Sequence, residues 1–186
     1  MRQIDDNIII EKSLQGDLEA FAGLVKKYQD ALVALGWNIL GDRDDARDVA
    51  QEAFIQAFTH LERFDTTRSF KTWIFSIAVK RSIDRLRRQK SSWKYFNRQT
   101  KEQCLETAQT NISIEDSRVF SPLLKRLNPK ERMAISLKIN EGYSAKEIGE
   151  VIRCSESTAR VHLFNAKKKL KKELSLAGKS TGKGGD

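Results

Sequence analysis

Cysteine, proline and histidine are scarce in this 186-residue chain, which has two of each. Cys104 and Cys154 lie far apart with no CxxC or Cys/His spacing, which argues against a zinc site and a disulfide framework; both read as free thiols in a reducing cytoplasm. His60 and His162 have no partner at a spacing useful for metal binding or general-base chemistry. No apolar run approaches the ~20 residues of a membrane span, and the opening MRQIDDNIII lacks a signal-peptide pattern. These absences predict a soluble, intracellular protein.

Charge, by contrast, is plentiful and unevenly placed. The formal net charge is +9. Residues 1 to 70 carry 8 basic and 13 acidic side chains, residues 71 to 90 carry 7 and 1, residues 91 to 121 carry 4 of each, and residues 122 to 186 carry 15 and 7. The positive charge thus forms two blocks around a neutral middle. That suits a protein gripping nucleic acid at two places; the plainer reading of each block is a solvated face.

The stretch from Asp42 to Lys90 joins an acidic helix to a basic one. At about 100° per residue, Ala46, Ala50, Ala53, Ala57 and Leu61 form one stripe of a helix over 44 to 62, flanked by Val49 and Phe54. Opposite lie Asp44, Asp48, Gln51 and Ile55, with Glu52 beside them. An isoleucine on an acidic outer face marks a protein-docking surface or a stray apolar residue. A second helix begins near Phe70, apolar nearly all round through Val79 and therefore buried. Beyond that only Val79, Ile83 and Leu86 keep the stripe, while Lys80, Arg81, Asp84, Arg85 and Arg88 gather opposite. Between the helices, RFDTTRS holds one aromatic, Phe64, which either packs on the core or serves recognition from a loop.

Upstream, residues 5 to 15 read as a short helix, and Asp17 caps a longer one carrying Phe21, Leu24, Val25, Tyr28, Leu32, Leu35 and Ile39, closed by Gly41. From Gln89 to about Ser113 the periodicity fails, as in a linker. Trp93, Tyr95 and Phe96 among Lys90, Lys94 and Arg98 could stack on nucleic acid or extend the preceding helix, and the second reading is preferred. Asn128-Pro129-Lys130-Glu131 announces a helix with Met133, Ala134, Leu137 and Ile139 inside, and Ser144-Ala145-Lys146-Glu147 another with Ile148, Val151 and Ile152. A turn at Arg153-Cys154-Ser155 leads to a last basic helix. There Ala159, Leu163, Ala166 and Leu170 face one way, and Ser157, Arg160, Val161, Phe164 and Lys168 the other. Short helix, tight turn and longer basic helix is the form of a helix-turn-helix, with Gly149 where the two helices must approach closely.

The expected fold is all-α: two small helical domains joined by a flexible linker, the second a helix-turn-helix domain. The boundaries are 1–90, a linker over 91–113, 114–176, and a disordered tail over 177–186. GDLEAFAGLVKKY (16 to 28), DARDVAQEAF (45 to 54), RSFKTWIFSIAVKRSIDRLRR (68 to 88) and the segment from Leu127 to Leu170 occur in this order. With them the chain resembles a bacterial RNA polymerase sigma factor of the extracytoplasmic-function (ECF) group.

The resemblance implies a sigma factor that binds core RNA polymerase, through its largest and second-largest subunits, and directs promoter-specific transcription initiation; such a protein is not an enzyme and needs no cofactor, because melting follows from binding energy for the single-stranded form. Asp44, Asp48, Gln51, Glu52 and Ile55 would dock on a coiled coil of the largest subunit. Phe64, Asp65, Thr66 and Arg68 of the loop, with Lys80, Arg81, Arg85 and Arg88 of the following helix, would bind and melt the −10 element, an unstacked base needing a π surface and phosphates needing cations. Ser157, Thr158, Arg160, Val161, Phe164, Lys167 and Lys168 would read the −35 element. An anti-sigma protein is the implied inhibitor, able to hold the factor at a membrane that the chain does not itself enter. Lys80 stands where relatives commonly have Asn, and Val161 and Asn165 also depart from the family pattern, so the promoter sequence cannot be borrowed. The competing readings are a stand-alone helix-turn-helix regulator acting without polymerase, and a helical module that sequesters another protein.

Overall fold

A computed structural model describes residues 6 to 99, 123, 124 and 126 to 180, with side chains left undescribed at 90 to 99 and 176 to 180. The described elements are α1 (Asp6–Leu14), α2 (Leu18–Leu40), α3 (Arg43–Thr59), a 3-10 turn (Leu61–Arg63), α4 (Phe70–Gln99), α5 (Pro129–Glu141), α6 (Ala145–Ile152) and α7 (Glu156–Ser180). No strand occurs among the described residues. None of these helices is long and apolar enough to cross a membrane.

Helix starts read from the sequence are made as hydrogen bonds. Asp17 accepts from the Ala20 N–H at 3.0 Å, and one Asp42 carboxylate oxygen accepts from the N–H groups of Asp44 and Asp45 at 3.0 and 2.8 Å. Asn128 and Glu131 form a reciprocal capping box at 2.9 and 3.0 Å, as do Ser144 and Glu147. Each cap satisfies an otherwise orphaned amide and is worth about 1 kcal/mol. The helix expected over 44 to 62 ends at Thr59, its last turn tightening into the 3-10 form. Two helices run past the expected boundaries of their units, one of them as the preferred reading has it. α4 continues to Gln99, as preferred for the run holding Trp93, Tyr95 and Phe96, because that run contains no Gly or Pro to stop it and an established helix propagates easily; α7 continues to Ser180, past the expected end of its unit at 176. The remainder of the stretch read as linker, Cys104 and the end of the tail lie outside the described residues, as do the side chains of Trp93, Tyr95 and Phe96.

In the first unit, α2, α3 and the first half of α4 close around Leu24, Leu32, Ile39, Val49, Phe70, Ile74 and Phe75, all fully enclosed. Burial of each such side chain favours folding by about 1.5–3 kcal/mol. The predicted stripe of α3 from Ala46 to Leu61 is buried throughout. α1 is pinned alongside: Ile10 enters the core, the Tyr28 hydroxyl donates to Asp6, and Lys27 pairs with Asp6 at 2.6 Å. In the second unit Met133, Leu137, Ile148, Val151 and Ala159 are inside. Ile139, expected inside, is 54% exposed, while Ile135, one turn earlier, takes the inner position in a buried cluster with Ala166 of α7.

The two units dock on each other, and one buried apolar cluster runs from Ile10 through Phe75 to Tyr143, Ile148 and Ala159. Tyr143, in the turn between α5 and α6, is buried with its ring 5.8 Å from that of Phe75 on α4. Lys71 lies 5.0 Å over the Tyr143 ring and pairs with Glu141 at 2.8 Å. Arg132 donates to the Ile39 carbonyl in the last turn of α2 at 2.8 Å and to the Leu127 carbonyl at 3.2 Å. Burial lowers the pKa of Arg132, but a guanidinium remains charged, and the carbonyl end of a helix is a favourable place for it.

Candidate nucleic-acid interface

α3 and α4 run side by side, and their charges interlock. Arg85 donates through Nε to Asp45 at 2.8 Å and through Nη2 to Asp48 at 2.6 Å, with Glu52 at 4.0 Å. One turn earlier on α4, Arg81 donates to Gln56 at 3.0 Å and lies 3.5 Å from Glu52. One turn later, Gln89 donates to the other oxygen of Asp45 at 2.7 Å. Desolvation lowers the Arg85 pKa, but the bonds from Asp48 and Asp45 outweigh it and the net shift is upward. Four residues of α3 at helical spacing thus meet three of α4, a ladder that the asymmetry of charge alone did not reveal.

This arrangement revises two expectations. Asp48 and Glu52 do not belong wholly to an outward docking face, since both also serve α4. Arg81 and Arg85 are not open cations awaiting phosphate, since each is already held by carboxylates or an amide oxygen of α3. Lys80 and Arg88 are exposed. On the outer side of α3, Asp44, Gln51 and Ile55 face solvent as expected, and Asp44 pairs locally with Arg47 at 3.2 Å.

Ile55 is 59% exposed and Phe58, one turn on, 43%. Both border an apolar groove of about 510 Å³ between α2 and α3, walled also by Phe21, Val25 and Phe54. Phe58 was missed from the sequence, although its position three residues after Ile55 places it on the same edge of the helix. Its ring meets that of Phe21 edge-on at 4.9 Å.

Phe64 is 8% exposed. Its ring lies 5.7 Å from Phe70, edge-on, and 4.9 Å from Trp73. The expected π surface for a base is therefore enclosed in an aromatic cluster, and the loop presents Asp65, Thr66, Thr67, Arg68 and Ser69 instead. Asp65 organises that loop, accepting from the Thr67 hydroxyl at 2.6 Å and the Thr67 N–H at 3.0 Å, bonds that hold its carboxyl below the ordinary range. Asn7 of α1 donates to the Thr66 carbonyl at 3.3 Å. The loop edges a cleft of about 810 Å³ lined by Arg63, Arg68, Trp73 and Lys80 and, from the second unit, by Glu150 and Arg153.

In the second unit, a Cβ added at Gly149 would lie 2.7 Å from the Cys154 carbonyl oxygen, so only glycine lets α6 meet the turn. The Ser155 hydroxyl accepts from the Thr158 N–H at 3.1 Å and also meets the Thr158 hydroxyl at 2.8 Å. Thr158 is thereby occupied in the turn and half-buried, unlike the base-reading residue expected. Ser157, Arg160, Val161, Phe164, Lys167 and Lys168 all face solvent as expected. Arg160 pairs with Glu156 at 2.5 Å, an exposed contact along one helix that is easily exchanged. Phe164 is 66% exposed. Behind this face Glu131 accepts from Lys169 at 2.7 and 2.9 Å. Burial raises the Glu131 pKa, yet Lys169 and the Asn128 N–H outweigh it and hold the carboxyl below its ordinary value. His162 is half-buried with Nε2 unpartnered, and burial lowers its pKa. His60 directs Nδ1 to the Gln56 carbonyl at 2.9 Å, and Cys154 is a free thiol.

Two helical units, the second a helix-turn-helix with a cationic and apolar outer face, describe a DNA-binding protein in two parts. Residues 24–92 match the family Sigma-70 region 2, and residues 120–170 match Sigma-70, region 4. The chain is 31% identical over 177 residues to the ECF RNA polymerase sigma factor SigW of Bacillus subtilis (strain 168), covering 89% of this chain and 94% of that protein. It is 28% identical over 183 residues to the ECF RNA polymerase sigma-E factor of Haemophilus influenzae, covering 92% and 96% respectively. The fold is similar to that of CnrH in complex with the cytosolic domain of CnrY, with a TM-score of 0.70 at 24% identity, covering 92% of this chain and 97% of that one. The chain belongs to the ECF group of sigma-70 factors, the proteins that direct transcription initiation by RNA polymerase.

Proposed function

We propose that the first unit, within residues 1–90, docks core RNA polymerase through α3 and binds the −10 promoter element, and that the second, within 114–176, binds the −35 element through α7. The observation that carries the docking assignment is the exposed pair Ile55 and Phe58 beside an apolar groove. A helix of the largest polymerase subunit's coiled coil, the partner implied by the family, lays apolar residues in such a groove, with Gln51 on its wall and Asp44 further along α3. The stand-alone regulator is the weaker reading, because it leaves this surface without a partner.

Asp65, Thr66 and Arg68 of the preformed loop meet the −10 strand, with Lys80 and Arg88 supplying positive charge along α4. Arg81 and Arg85 join only by exchanging carboxylate for phosphate. Trp73, on the wall of the cleft, replaces Phe64 as the aromatic that meets an unstacked base. On α7, Ser157, Arg160, Val161, Phe164, Lys167 and Lys168 face the major groove, with Thr158 bracing the turn. Supporting a closed resting form, α6 lies against α4, so the units separate before α4 meets DNA. An anti-sigma protein that keeps them together holds the factor idle in the cytoplasm or at the membrane.

The test is a transcription run with core polymerase and a fork-junction template. Start-site-specific RNA is expected, and Ile55→Arg should lower core affinity about tenfold or more by placing a charge in an apolar contact. No specific RNA, together with unchanged core binding by Ile55→Arg, defeats the assignment.

A further inference from the structure

Arg153 is the only non-glycine residue with a positive φ among the described residues, at 55°. It caps α6, a left-handed position that glycine or asparagine fills with less strain. Strain retained at one position directs attention to its side chain, and that side chain lines the cleft of about 810 Å³ opposite Arg63, Arg68, Trp73 and Lys80. Among the described residues, Arg63, Lys80 and Arg153 form no ion pair. Glu150 is the only carboxylate among the described lining residues. Cations gathered on the walls of a concavity focus a positive potential, and the volume lies in the range of small-molecule sites. Trp73 is half-buried, which leaves part of its indole open to the cleft.

We propose that this cleft binds a nucleoside polyphosphate, with its phosphates on Arg63, Arg68, Lys80 and Arg153 and its base against Trp73. Arg153 belongs to the second unit and the other groups to the first, so the site is complete only while the units are docked, and its occupation favours the closed form. A single strand of promoter DNA offers the same chemistry of base and phosphate. It uses the first unit's groups after separation, when Arg153 is gone, so the two ligands compete. The inference goes beyond promoter binding and does not depend on polymerase.

Calorimetric titration of the full chain with adenosine triphosphate, inorganic tripolyphosphate and a single-stranded hexadeoxynucleotide tests it. The triphosphate is expected to bind at one site, more tightly than tripolyphosphate, and to slow amide exchange at the α4 to α6 contact. Arg153→Asn keeps a residue suited to positive φ, and its circular dichroism should match the wild type. Its affinity for the triphosphate should fall about tenfold, the loss of one charge-assisted contact. Lys172→Gln, on α7 outside the cleft, should bind as the wild type does. The proposal is overturned if the triphosphate does not bind while the oligonucleotide does, if tripolyphosphate binds equally well, or if Arg153→Asn binds the triphosphate like the wild type. None of these readouts requires transcription, so a failure here and a failure of the promoter reading are separate results.

Discussion

α4 and α7 are both long basic helices, yet they hold their charge differently. On α4, Arg81 and Arg85 are enclosed by Asp45, Asp48, Glu52 and Gln56 of the antiparallel neighbour. On α7, the cations of the outer face meet only their own helix or solvent among the described residues, as with Arg160 and Glu156. The same residue types therefore do two jobs. Where a second helix lies alongside, arginine knits the scaffold; where the face is unpartnered, it is available to a ligand. A charge count along the sequence measures supply, and only the packing shows how much of it is left over.

Gly149→Ala should have the largest effect, because it forces a methyl group against backbone rather than against a yielding side chain. A loss of about 1–3 kcal/mol in chemical denaturation is expected, together with lost −35 binding as α6 and α7 come apart. Unchanged stability would mean that the turn is looser than the close approach implies. Next in size, Arg160→Ala should weaken −35 binding by about 1–3 kcal/mol and relax specificity at one position. An equal loss on every sequence would make Arg160 a phosphate contact. Lys168→Ala, by contrast, should weaken all sequences alike and lower the salt slope by about one.

On the α4 side, a double-mutant cycle between Asp45→Ala and Arg85→Ala should return a coupling of about 1 kcal/mol in stability. Zero coupling with a large loss of DNA affinity in Arg85→Ala would erase the difference between the two helices. The smallest effect is expected from Glu131. Its folded pKa is depressed, so its contribution is complete above the ordinary carboxylate range and disappears as pH falls through the folded value. Below about pH 4 the wild type should therefore lose a few degrees of melting temperature that Glu131→Gln, already lacking the charge, does not lose. Parallel melting curves for the two proteins across that range would remove Glu131 from the account.

Much of this fold is legible in the sequence because helices announce themselves locally. Asp17, Asp42, Asn128 and Ser144 sit where caps are needed, and the alanine stripe of α3 gives its buried face directly. What escapes is set by the angle and depth at which one helix meets another. Nothing local distinguishes Asp45, which turns to α4, from Asp44, which turns to water. Phe64 is drawn inward by Phe70 and Trp73, partners that exist only once the loop has folded back. Tyr143, Lys71 and Arg132 join units distant in sequence, and no periodicity links them. The outer face of α7 was more legible, because a helix face turned to solvent depends on no neighbour.

The length of α4 sets how far the chain must come back to make the contact between the two units. Its 30 residues carry the chain to Gln99, about 36 Å along the axis from Phe75, where Tyr143 docks. Residues 100 to 122 have a contour of at most about 80 Å, more than twice that span. The chain between the units is therefore long enough to let the second unit dock back at Phe75. Because both units belong to one chain, their contact is intramolecular and does not weaken on dilution. Any partner that needs the faces of α4 and α6 covered by this contact has to displace it, and dilution gives that partner no help.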